Sequence, residues 1–228
     1  RLLAIGPDKL YVDLRGTGDT TVVFEAGFGN DSTVWSVVTP KIHARTFIYD
    51  RAGMGKSSIG DEPYSLEHDV TNLLTALDQC HVTNHVIMVG HSYGGAIALM
   101  AARDPRIEKI ILLDALIPGV DMTAELPKLR AQYDEIRREA PALARVAIPW
   151  AEALPHTMEI LATANPSQPI IDLVADHGQT QWRGAHEALV AKDPTKRTLR
   201  VVESGHKIPV EAPDAVVDAV NGSQQSGL

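Results

Sequence analysis

The sequence predicts an α/β fold: a mostly parallel sheet with helices on both faces, plus a small helical cap. Three observations carry this. Strand-like and helix-like segments alternate along the 228 residues. Most of the strand-like segments are continuous apolar runs, as strands buried on both faces require. One helical stretch interrupts the alternation with no strand inside it. The expected division is a core of residues 1–116 and 167–228 with a cap or lid over 117–166.

In chain order, Lys9 to Leu14 reads as an edge strand, followed by a turn at Gly16 and Gly18. Val22 to Glu25 and Thr46 to Tyr49 are short strands ending at Ala26-Gly27 and Asp50. Ser65 to Leu77 is amphipathic and helical. His85 to Val89 is a buried strand, Gly94 to Arg103 a small-residue helix, and Lys109 to Leu113 the next strand. The cap reads as helices broken by prolines: Ala124 to Glu139, Ala142 to Ala147 and Trp150 to Thr163. Alternation resumes with strand Pro169 to Ala175, helix Gln181 to Ala191 and strand Thr198 to Val202. Pro213 to Val220 closes as a helix, proline near its first turn, before a polar tail from Asn221 to Leu228.

Composition narrows the partners. Lys plus Arg is 21 against 29 Asp plus Glu, a net charge of −8, with no basic run. Nucleic acid is therefore not expected, because phosphate binding needs clustered cations. No stretch has the length and apolarity of a membrane helix. The single cysteine, Cys80, cannot form an intramolecular disulfide. A soluble protein of a reducing, cytoplasmic compartment is the expectation, although the start at Arg1 leaves room for a preceding signal or anchor.

The chemistry centres on Gly90-His91-Ser92-Tyr93-Gly94, a G-x-S-x-G pattern between a buried strand and a helix. A sharp strand-to-helix turn would strain Ser92, project its hydroxyl from the strand end, and clash with side chains at 90 or 94. A serine hydroxyl is a weak nucleophile without a base. His206, in the loop Glu203 to Pro209 after the last strand, falls at the same sheet edge. His91 adjoins the nucleophile and reads as structural, and His177 and His186 lack metal-ligand spacing. The acid that orients the imidazole has two candidates, Asp114 and Asp176, each ending a strand between Ser92 and His206. Two backbone N–H donors should face the developing oxyanion, from Tyr93 and from Phe28 in the loop Glu25 to Gly29. Trp150, Leu154, Met158 and Ile160 are candidates to line the pocket beneath the cap.

Taken together, Glu25-Ala-Gly-Phe-Gly29, Tyr49-Asp-Arg-Ala-Gly-Met-Gly-Lys-Ser57, Gly90-His-Ser-Tyr-Gly-Gly95, Ile111-Leu-Leu-Asp114 and Ser204-Gly-His206 resemble the α/β-hydrolase superfamily over nearly the whole chain. The resemblance implies a serine hydrolase of esterase or lactonase type, acting on a small-molecule acyl substrate through an acyl-enzyme, with no metal or cofactor. In that superfamily the acid usually follows the penultimate strand, where this sequence has Gly178 and where Asp176 comes two positions early. Some members carry it one strand sooner, which favours Asp114 and keeps Asp176 as the alternative. Serine as nucleophile argues against epoxide-hydrolase and dehalogenase chemistry, which use aspartate in this fold. Asp172, a carboxylate inside a strand that reads as buried, needs a partner the sequence does not name.

Two decoys fail. Gly27-x-Gly29 with Asp50 mimics a dinucleotide fingerprint, but its third glycine is Ser32. Gly55-Lys56-Ser57 ends like a phosphate loop, but Asp50 stands where the first glycine belongs. A reading from a different class remains: a hydrolase-fold small-molecule receptor or regulator with slow turnover.

Overall fold

The structure, a computed structural model, describes residues 1–60 and 64–225. Eight strands form one sheet: β1 (Leu2–Ile5), β2 (Asp8–Arg15), β3 (Thr21–Glu25), β4 (Arg45–Tyr49), β5 (Val86–His91), β6 (Ile107–Leu113), β7 (Ile170–Ala175) and β8 (Arg197–Val202). Their spatial order is β1-β2-β4-β3-β5-β6-β7-β8. β2 pairs antiparallel with β1 and β4, and every pair from β4 to β8 is parallel.

The apolar runs follow from burial on both faces. Val22, Phe24, Ile87, Val89, Ile111 and Leu113 pack on one side with Trp35, Ile208, Val216 and Val220. Their neighbours Val23, Met88, Ile110 and Leu112 join the opposite layer. That layer holds α1 (Leu66–Gln79), α2 (Tyr93–Ala101) and α7 (Arg183–Ala191). The other face is covered by the short α8 (Ile208–Glu211) and by α9 (Pro213–Gln225). Ser65 caps α1 by accepting the His68 N–H at 3.1 Å, which sets where that helix starts.

Between β6 and β7 stand α3 (Leu126–Ala131), α4 (Tyr133–Glu139), α5 (Pro141–Glu152) and α6 (Leu154–Leu161). They differ from the expected helices in two ways. The stretch expected as one helix to Glu139 breaks at Gln132. The expected break before Trp150 is absent: α5 runs through Pro149 and ends at Glu152. Prolines open α3, α5 and α6 in their first turns, where a missing N–H leaves no bond unmade.

Two further corrections concern the ends. The first strand is β1, so Lys9 to Leu14 lies inside the sheet rather than at its edge. Four residues before the Gly6-Pro7 turn are too few to show a period. The last helix continues past Val220 to Gln225, into the expected tail, and residues 226–228 lie outside the described residues. Among the described residues, no helix is long and apolar enough to cross a membrane.

Candidate active site

Ser92 sits between β5 and α2 with φ 53° and ψ −123°, a conformation L-residues avoid. The surrounding hydrogen bonds hold it there. Its N–H donates to the Leu113 carbonyl at 3.1 Å, and its own carbonyl accepts from Gly95 at 2.9 Å and Leu116 at 2.8 Å. The turn closes only because residue 94 is glycine: a Cβ there would overlap the Glu25 and Ala26 carbonyls. Tyr93 opens α2, so its N–H has no acceptor one turn back in the helix.

His206 reaches this serine from the loop after β8. Its Nε2 lies 3.0 Å from Ser92 Oγ, and its Nδ1 lies 2.6 Å from Asp114 Oδ2. The loop is anchored at three points. Gly205 N–H donates to the Glu211 carboxylate at 2.6 Å, and Ser204 N–H to Asp176 Oδ1 at 2.8 Å. The His206 carbonyl is held by His91 Nε2 at 2.8 Å. Burial lowers the His91 imidazole to about 4, so it is neutral and donates from Nε2 to that carbonyl. Trp182 stands edge-on to the His206 ring at 5.9 Å.

Of the two candidate acids, the structure brings Asp114 to His206. Asp176 instead faces Ser204 and, at 3.4 Å, His177. Asp114 follows β6, has φ 41°, and is fully buried. Burial pushes its carboxyl up, but the hydrogen bonds from His206 and from Gln179 N–H at 3.1 Å outweigh that and hold it below the usual range. Gly178 has a steric reason to be glycine: a Cβ there would lie 2.5 Å from Asp114 Oδ2. The loop after β7 thus makes room for a carboxylate arriving from β6.

Phe28 lies on the loop after β3. Trp150 of α5 stacks on it at 4.0 Å and 16°, and meets Tyr93 edge-on at 5.9 Å. The helical insertion therefore touches both residues whose N–H groups are the expected oxyanion donors. Leu154 is fully buried in the apolar core, and Met158 and Ile160 pack half-buried against it.

Two buried polar clusters were not legible beforehand. Asp172 has its partner in His186 of α7, Nδ1 to Oδ2 at 2.8 Å, both side chains without solvent contact. Burial pushes Asp172 up against the opposing effect of His186. An inward-facing histidine on the helix after β7 was the available signal. The second cluster joins Arg51, Glu25, Tyr49, Asp69, Tyr64 and Tyr93 behind the loop after β3. The arginine within Tyr49 to Ser57 was its only sequence mark.

Residues 22–219 match the Alpha/beta hydrolase family. The chain belongs to that family. Among relatives of this alpha/beta hydrolase, YqjL of Bacillus subtilis (strain 168) is 35% identical over 212 residues, covering 89% of this chain and 82% of that protein. Strigolactone esterase RMS3 of Pisum sativum is 32% identical over 118 residues, 47% of this chain and 43% of RMS3. Among solved structures, a thermophilic esterase from Thermogutta terrifontis superposes with a TM-score of 0.77 at 20% identity, covering 99% of this chain and 98% of that one. At that identity the likeness concerns the fold.

Proposed function

We propose that this alpha/beta hydrolase cleaves a carboxylic ester or lactone of a small molecule through a serine acyl-enzyme, under a cap formed by residues 117–166. The observation that carries the reading is the single imidazole bridging Ser92 Oγ and Asp114 Oδ2 at 3.0 and 2.6 Å. Ser92 Oγ attacks the acyl carbon while His206 Nε2 takes its proton. Asp114, ionised, keeps the Nδ1 proton in place and stabilises the imidazolium. The N–H groups of Phe28 and Tyr93 receive the charge on the former carbonyl oxygen. His206 then protonates the departing alkoxide, and deprotonates the water that hydrolyses the acyl-serine. The esterase named among the partial relatives supports this substrate class.

The test is labelling with a fluorophosphonate probe, joined to turnover of p-nitrophenyl butyrate. The wild type should label and turn over repeatedly, while Ser92→Ala and His206→Ala should do neither. Undiminished labelling of Ser92→Ala would remove Ser92 as the reactive group. A protein that reacts once and retains its ligand would instead be a slow receptor or regulator.

A further inference from the structure

The Tyr49–Ser57 segment carries a guanidinium that takes no part in the proton transfers above. Arg51 is 3% exposed. It donates to Glu25 Oε1 at 2.6 Å, to the Ala26 carbonyl, and from Nη2 to the Gly27 carbonyl at 2.8 Å. Tyr49 hydroxyl donates to the other Glu25 oxygen. The guanidinium carbon also lies 5.5 Å from the centre of the Tyr93 ring, whose hydroxyl donates to buried Asp69 at 3.0 Å.

We propose that Arg51 is a positioning residue for the oxyanion donors, fixing the Gly27–Phe28 peptide so that the Phe28 N–H faces the nucleophile. The inference rests on the ester-cleaving reading of the site. In a trans peptide the C=O and the following N–H point in opposite directions, and no cis peptide bond occurs among the described residues. Holding the Gly27 carbonyl therefore orients the Phe28 N–H away from the guanidinium. The nucleophile is close to Gly27: a Cβ on Gly27 would be 3.1 Å from Ser92 Cβ. The peptide thus has a cation at its carbonyl, which also accepts the Asn30 N–H at 3.3 Å, and the serine turn close to its Gly27 end. Rotating it would aim a carbonyl at the site of developing negative charge and forfeit a charge-assisted hydrogen bond. A cation on the carbonyl also polarises the peptide, which strengthens the N–H as a donor. The same guanidinium also lies against the ring of Tyr93, the other donor residue.

Arg51→Lys keeps a positive charge opposite Glu25, but its single ammonium cannot span the two carbonyls and the carboxylate as the fork does. Arg51→Met with Glu25→Gln removes both charges, so neither is stranded in the interior. Each variant is compared with wild type in p-nitrophenyl acetate turnover and in inhibition by a trifluoromethyl ketone, which forms a tetrahedral oxyanion on serine. Circular dichroism and cooperative melting establish that the variants are folded. Losing one donor outright costs about 100- to 1000-fold in kcat, and a mispositioned donor should cost less, roughly 10- to 100-fold. KM should stay within about 3-fold, since the interaction strengthens only in the transition state. Ketone affinity should fall in step with kcat, which loss of stability alone would not produce. Folded variants with kcat and ketone affinity both close to wild type would overturn the inference. If the wild type does not label with fluorophosphonate, or Ser92→Ala labels equally, the ester-cleaving reading fails instead.

Discussion

The proposed acid, Asp114, should be transferable from one strand to the next, at a cost in activity worked from the geometry around it. Asp114→Gly suits a position with φ 41° and removes the carboxylate 2.6 Å from His206 Nδ1. Loss of tautomer control should cost roughly 10⁴-fold in kcat, or about 5 kcal/mol at 1.36 kcal/mol per tenfold. Gly178→Asp alone should also inactivate, because its Cβ would lie 2.5 Å from the resident Oδ2. The double variant is built in an Ala175→Gly background, because the new Cβ would also lie 2.6 Å from the Ala175 Cβ; there the Asp114 oxygen is gone as well, and the new carboxylate grows into the vacated space from the β7 side. A misplacement of about 1 Å costs about 100-fold. The double variant should therefore be roughly 100-fold better than Asp114→Gly. The assay is kcat/KM on p-nitrophenyl butyrate, with melting temperatures to exclude unfolding. A folded double variant no better than Asp114→Gly would refute the argument that the position of the carboxylate, rather than its strand of origin, is what His206 requires. Asp114→Gly with near-native kcat would remove Asp114 from the mechanism altogether.

Asp176→Asn keeps an acceptor for Ser204 N–H, so kcat should change by less than about 3-fold; a loss like that of Asp114→Gly would return Asp176 to contention. His91 gives a pH dependence with a definite sign. Its folded imidazole titrates near 4 against 6.5 in an unfolded chain, so the unfolded state takes up the extra proton as pH falls. Stability should drop from about pH 6.5 toward 4, by about 3 kcal/mol for this group alone. Urea melts of wild type and His91→Asn across that window should diverge accordingly, and parallel curves would count against a neutral buried imidazole. Trp150→Ala removes a nearly buried indole and should cost about 3–5 kcal/mol of stability. It also clears space beside Phe28, so preference should shift from p-nitrophenyl acetate toward octanoate; an unchanged ratio would mean that the indole does not border the acyl chain.

The sheet was legible because strands buried on both faces leave continuous apolar runs, such as Val86 to Val89, whatever their neighbours. β1 escaped because Leu2–Ile5 is too short to show a period and gains its place by pairing with β2. Helix ends in the 117–166 stretch were misread where proline was taken as a stop. Pro149 is carried inside α5, whereas the actual breaks fall at Gln132, which has no sequence signature, and at Ala153, just before the Pro155 that opens α6. Within the site, the positions of Ser92 and His206 relative to strands could be read from the chain. The choice between Asp114 and Asp176 could not be made from placement, because both end strands at the same sheet edge; only the family resemblance favoured Asp114. What separates them is the positive φ at Asp114 and the Gln179 N–H that reaches across to it. Asp172 and His186 were each unexplained alone, since only the packing of α7 on β7 makes them a pair.

Standing after β6 makes Asp114, the proposed acid, a neighbour of Ser92, the proposed nucleophile, because β5 and β6 pair from Val86 to His91 and Ser92 itself bonds to Leu113. The interval from alcohol to carboxylate is therefore ruled by a central, hydrogen-bonded ladder and is as durable as the middle of the sheet. The imidazole alone arrives from the periphery, on a short loop beyond the outermost strand. Gentle heating or dilute denaturant should accordingly silence the protein by loosening that one arm while the rest of the molecule is still intact.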